Sequence, residues 1–203
     1  MNSVIARTGS VIAAVSVVCF AIFMLTDFDF GSYLVCMFLA FGFVLMMSGF
    51  HAETRKESKA AANTGLVLSG VYAVLVLLVY FAQTSTVRLD SLGDEALRIL
   101  DYNRFGLFFN YDLLGYGIMS LSTFFIGLGI NVKSRTDKWL KLLLIFHGVF
   151  FIGCFILPMF GVFSPEMDGA EWIGTLVLEI WCLYFLPVCI LSYIHFGGKQ
   201  DRC

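Results

Sequence analysis

The chain has 203 residues, of which 59% are hydrophobic and 14% charged, with a formal net charge of −2. Soluble domains are nearer 45–50% apolar and about 25% charged, so this composition excludes an ordinary soluble domain. It also offers no basic stripe with interleaved aromatics, which argues against a nucleic-acid partner.

Five of the six cysteines, Cys19, Cys36, Cys154, Cys182 and Cys189, lie inside apolar runs, and Cys203 stands apart from them. No C-x-x-C or Cys/His ligand spacing occurs, so neither a disulfide framework nor a zinc site is indicated, and no cofactor motif is present.

Six apolar stretches are long enough to cross the roughly 30 Å hydrocarbon core of a bilayer. They run at about 8–25, 31–50, 65–84, 107–130, 139–163 and 172–196. The first has only Arg7 before it and no small-x-small cleavage site after it, so it reads as a retained span. An acidic turn with Asp27 and Asp29 leads to the second. His51 to Thr64 reads as a charged loop. In the third span Gly65, Ser69 and Ala73 recur every four residues, a spacing that lets a neighbouring helix approach closely.

The connection Ser85 to Phe105 places Leu92, Ala96, Ile99 and Leu100 on one side at helical spacing, which predicts a short interfacial helix. The fourth span is rich in Gly and Ser, a basic loop (Asn131 to Lys138) follows, and Pro158 predicts a kink in the fifth span near its far end. Ser164 to Glu171 is acidic and leads into the sixth span, where Pro187 predicts a bend at the carbonyl of Leu183. The expected fold is a single all-α domain: a polytopic membrane bundle of six transmembrane helices with one short interfacial helix between spans three and four.

Orientation follows from Lys and Arg in the short loops. Arg7, Arg55, Lys56, Lys59, Lys133, Arg135, Lys138, Lys199 and Arg202 share one side, against Arg88, Arg98 and Arg104 on the other. This predicts a cell-membrane protein with both termini cytoplasmic.

Charged side chains inside a span are costly and usually face the bundle interior. At about 1.5 Å rise per residue, Glu179 lies roughly 11 Å and Asp112 roughly 8 Å below the outer surface, and His147 lies roughly 12 Å from the cytoplasmic end. Tyr116 is one turn below Asp112, with Ser120 and Thr123 deeper on that face. If the helix faces converge, Tyr80, Gln83, Asp112, Tyr116 and Glu179 form an outer cluster, with Arg88 above and His147 beneath. Each has a plainer reading: Asp112 as a headgroup-level acid, Glu179 as a protonated or Arg-paired structural acid, His147 as a satisfied core histidine. His51 and His195 at the cytoplasmic span ends read as ordinary interfacial histidines rather than a metal or haem pair.

Tyr80, Phe81 and Gln83 form Y-F-x-Q, Val87 to Leu89 give V-R-L, and Leu114 to Ser122 give L-G-Y-x-x-M-x-L-S. In these elements the central half of the chain resembles a scattered group of prokaryotic multi-span membrane proteins with no assigned activity. The resemblance implies a shared fold and marks Gln83, Arg88 and Gly115–Tyr116, and brings no activity with it.

No G-x-S-x-G or H-E-x-x-H motif supports an enzyme, and a hydrolase built on His147 with Glu179 or Asp112 has no motif behind it. Two functions remain. One is binding or carriage of a small molecule, cation or proton through the outer cluster. The other is a structural or interaction role in which the cluster only fixes packing, with a protein partner or a second copy unspecified.

Overall fold

The computed structural model describes residues 1–163 and 170–197. The acidic segment 164–169 and the basic residues Lys199 and Arg202 lie outside the described residues.

The described chain is all-helical, with six helices long and apolar enough to cross a membrane. The helices are α1 (Asn2–Leu25), α2 (Asp29–Glu53), α3 (Lys59–Ala82), α4 (Asp94–Leu100), α5 (Leu107–Gly129), α6 (Arg135–His147), α7 (Phe150–Met159) and α8 (Ala170–Gly197). The spans are α1, α2, α3, α5, the α6–α7 pair and α8. Together they make a multi-pass membrane protein.

The helices pack as a closed ring. α1 lies on α2, α2 on α3, α3 on α5, α5 on both α6 and α7, α6 on α8, and α8 returns to α1. A bilayer is as apolar as a leucine core, so the two faces of each helix differ less in hydropathy than in what they can satisfy. Large apolar side chains such as Val67, Leu78, Phe81 and Leu183 point outward. Ser10, Ser69, Ser120, Ser122, Thr123, Asp112 and His147 are buried inside the ring. Phe43 is central, with its ring 5.2 Å from Tyr72 and 6.2 Å from Phe185.

The Gly65–Ser69–Ala73 stripe lies against α5, as its spacing predicts. A Cβ on Gly65 would lie 2.9 Å from the carbonyl oxygen of Ser122, and the Ser122 hydroxyl donates to the carbonyl of Gly65 at 2.7 Å.

Two expectations are corrected. The charged stretch 51–64 is mostly helical: α2 continues through Glu53, a 3₁₀ turn covers Lys56–Ser58, and α3 starts at Lys59. The run Lys59 to Ala62 is made of good helix formers, which lengthens both helices into the headgroup zone. The fifth span breaks at Gly148–Val149, where bonds from Gly148 to Ile145 and from Val149 to Phe146 tighten the helix locally, while Pro158 sits in the last turn of α7. The cause is close packing on α5, since a Cβ on Gly148 would meet that of Phe124 at 2.9 Å. Pro187 lies inside α8, which is a single helix from Ala170 to Gly197.

The near end of the bundle, at residues 1, 53–59, 130–135 and 197, carries the basic loops. The far end carries the turn at Asp27 and the long connection between α3 and α5.

Candidate functional site

At the far end, α5 carries Asp112 on its buried face, 3% exposed. Tyr80 of α3 and Tyr102 of the 3₁₀ turn Tyr102–Arg104 face its carboxylate with their hydroxyls, yet Oδ1 is buried and accepts no hydrogen bond. Tyr33 of α2 completes the surround. Its ring stacks on Tyr80 at 5.4 Å and meets Tyr102 at 6.0 Å, and Tyr80 and Tyr102 are 6.2 Å apart. Burial, followed by the Asp112 carboxylate, pushes the Tyr102 phenol well above its ordinary value, so it stays protonated and can donate.

One turn deeper, Tyr116 packs edge-on against Tyr72 at 5.7 Å and Trp181 at 5.3 Å, and its hydroxyl donates to Sγ of Cys36 at 3.5 Å. Gln83 opens a π turn (Gln83–Val87) that prolongs α3. Its side chain donates to the carbonyl of Leu100 at 2.7 Å and accepts the amide of Tyr102 at 3.1 Å.

Tyr80, Gln83, Asp112 and Tyr116 therefore do gather at one end of the bundle. Arg88 and Glu179 do not join them, and His147 lies beneath, on the other side of Trp181 from Tyr116. Arg88 is exposed, lies 4.9 Å over the ring of Phe30, and donates to the carbonyl of Thr84. Glu179 follows the opposite side of α8 from Trp181, since two residues on a helix are about 160° apart around its axis. Trp181 is the residue that turns toward Tyr116. Glu179 shares a seven-residue stripe with Leu186 and Tyr193, and Tyr193 takes a hydrogen bond from Arg7 of α1. That places Glu179 on the α1 side, with Oε1 enclosed and making no hydrogen bond.

His147 is a satisfied core histidine. The Trp181 indole N–H donates to Nε2 at 3.0 Å, and Nδ1 lies 2.8 Å from the Thr123 hydroxyl, which itself donates to the carbonyl of Ser120.

The near end holds a second polar group that the span pattern does not announce. Nδ1 of His195 lies 2.6 Å from Oδ1 of Asp137, and Nε2 lies 3.2 Å from Oε2 of Glu53. Asp137 is fixed there by a capping box with Ser134 and accepts the amides of Lys133 and Ser134 at 2.9 Å each. The only sequence signal is that Ser-x-x-Asp spacing. His51 instead pairs with Asn63, so the two histidines are not partners. Tyr33 and Tyr102 were likewise missed; Tyr33 was legible only as a tyrosine at the depth of Tyr80. Among the described residues, no group of three or more His, Cys, Asp and Glu could hold a metal ion.

No family model matches the chain, and no curated protein or solved structure matches it.

Proposed function

We propose that this multi-pass membrane protein takes up a proton at Asp112, and that proton movement through the far-end site is its activity. The observation that carries this reading is Asp112 itself: a carboxylate 3% exposed inside a span, with an oxygen that accepts no hydrogen bond. The side chains facing it are tyrosine hydroxyls, which bring hydrogen bonds and no positive charge. An unpaired buried charge is far more costly than a neutral group, so the site is one positive charge short. Tyr33, Tyr80 and Tyr102 are in ring contact with one another, at separations normal for packed aromatics, which leaves little room for a bulky ligand. A proton is the cation that fits. The placement in a cell membrane with the near end cytoplasmic belongs to the same proposal, supported by Arg55, Lys56, Lys59, Lys133, Arg135 and Lys138 at that end.

The test is proton flux into vesicles that carry the purified protein and an internal pH dye, under an imposed potential. Wild type and Glu179→Gln should admit protons, and Asp112→Asn, checked for a folded gel-filtration profile, should not. Equal flux in wild type, Asp112→Asn and empty vesicles overturns the reading.

One observation favours a structural or interaction role instead. Gln83 uses both ends of its amide to hold main chain in place, as a purely architectural polar group would. That role predicts no flux from any variant.

A further inference from the structure

Gln83 is 4% exposed and stands at the α3 end of the long far-side connection. Both hydrogen bonds of its side chain go to the main chain of that connection, at Leu100 and Tyr102. An amide that donates and accepts within one short segment works as a clasp, because its two bonds form or break together.

The clasped segment covers Asp112. Tyr102 packs its ring against Tyr33, Tyr80 and Phe109, the last at 5.2 Å, and turns its hydroxyl to the carboxylate. α4 rests on α5 beside it and contains no buried residue. The segment also folds back on itself. Phe105 takes a left-handed φ of 54°, and a Cβ on Gly106 would lie 2.0 Å from the carbonyl oxygen of Arg98. The ion pairs of Arg104 with Asp94 at 3.7 Å and Asp101 at 3.9 Å are exposed and add little. What holds the segment down is therefore chiefly the Gln83 clasp and the rings of Tyr102 and Phe105, the latter 4.8 Å from Phe109 of α5.

We infer that residues 93–106 form a lid over Asp112, clasped by Gln83, and that Asp112 reaches the far-side medium when the clasp releases. The inference rests on the proton reading above and names what regulates that site.

A hydrophobic carbodiimide, dicyclohexylcarbodiimide, tests both. It reacts with a protonated carboxyl in an apolar setting: the acid proton passes to a carbodiimide nitrogen, and the carboxylate oxygen bonds to the central carbon. The adduct at each carboxyl is followed over time by mass spectrometry of the digested, detergent-solubilised protein. Gln83→Ala and, independently, Gly106→Ala should label Asp112 about tenfold faster than wild type, the scale expected when a pair of hydrogen bonds is lost. Gly106 lies outside the spans, so that variant spares the bundle if Gln83→Ala does not fold. Gly93→Ala, whose Cβ meets nothing within 4 Å, should label at the wild-type rate, and Glu179 should label equally in all forms. Labelling of Asp112 at one rate in every variant overturns the lid and leaves the proton reading standing. Labelling of Glu179 with none at Asp112 in any variant overturns the proton reading, and the lid with it.

Discussion

Trp181 donates its indole N–H to Nε2 of His147 at 3.0 Å. Indole nitrogen is only a donor, so Nε2 is the acceptor and the remaining ring proton sits on Nδ1, directed at Thr123. The bond joins α8 to α6 in the middle of the membrane and fixes one tautomer. Trp181→Phe keeps the ring and removes the donor. It should lower stability by about 0.6 to 1.7 kcal/mol, the range for hydrogen bonds between membrane helices. The double variant with His147→Leu should lose less than the sum of the single changes, because no acceptor is left stranded. Thermal unfolding in mild detergent measures both, and an unchanged midpoint for Trp181→Phe would show that the bond contributes nothing.

His195 stands between two groups that only accept. To bond Asp137 and Glu53 together it needs a proton on each ring nitrogen, so the full latch exists only for the imidazolium. Both pairs are largely shielded, with His195 and Asp137 side chains 8% exposed, so the effect should be visible at about 1.5 to 3 kcal/mol, the scale for charged hydrogen bonds. His195→Leu, which removes both donors, should therefore lower the melting temperature in mild detergent, whereas His51→Leu, which breaks only the contact with Asn63, should lower it less. An unchanged midpoint for His195→Leu would mean that the latch contributes nothing.

Two glycines five residues apart in α3 should respond in opposite ways. A Cβ on Gly65 would collide with Ile126 at 2.7 Å and the Ser122 carbonyl at 2.9 Å, and one on Gly70 would meet nothing within 4 Å. Gly65→Ala should therefore cost about 1 to 3 kcal/mol through overpacking. Gly70→Ala should be neutral or gain up to about 1 kcal/mol from helix propensity. Melting temperatures of the two variants decide it; equal effects would mean that the α3–α5 contact is looser than its geometry.

The spans were legible because a run of about 20 apolar residues has few other uses. Gly65, Ser69 and Ala73 were legible as a contact face because small residues at every fourth position have no better explanation. The gathering of Tyr80, Gln83, Asp112 and Tyr116 followed from depth and helical spacing. Glu179 shows where that reasoning stopped. Its depth was right to count, but a span apolar on every side carries no stripe to say which way the acid turns, and it is Trp181, on the other side of α8, that meets Tyr116. Arg88 failed for a related reason: the ring of Phe30, in the first turn of α2, holds it elsewhere. The break at Gly148 was hidden because it arises from contact with Phe124, whereas Pro158 is conspicuous in the sequence and harmless in the last turn of its helix. Tyr102 looked like ordinary loop until Gln83 was seen to bind the backbone around it.

The ring has a consequence for how the protein is made. The largest contacts from α1 through α2, α3, α5 and α6 join helices that emerge from the ribosome one after another, so each new span finds its partner already in the bilayer. The seam between α8 and α1 is different, because everything else in the ring lies between those two helices in sequence. The flank of α1 that meets α8, including Arg7 opposite Tyr193, must wait beside lipid or insertion machinery until α8 has been made. That seam is the longest-range step in assembly and the slowest to find by loop closure. A substitution that weakens it should spare the early spans and leave an open crescent, the form on which membrane quality control would act.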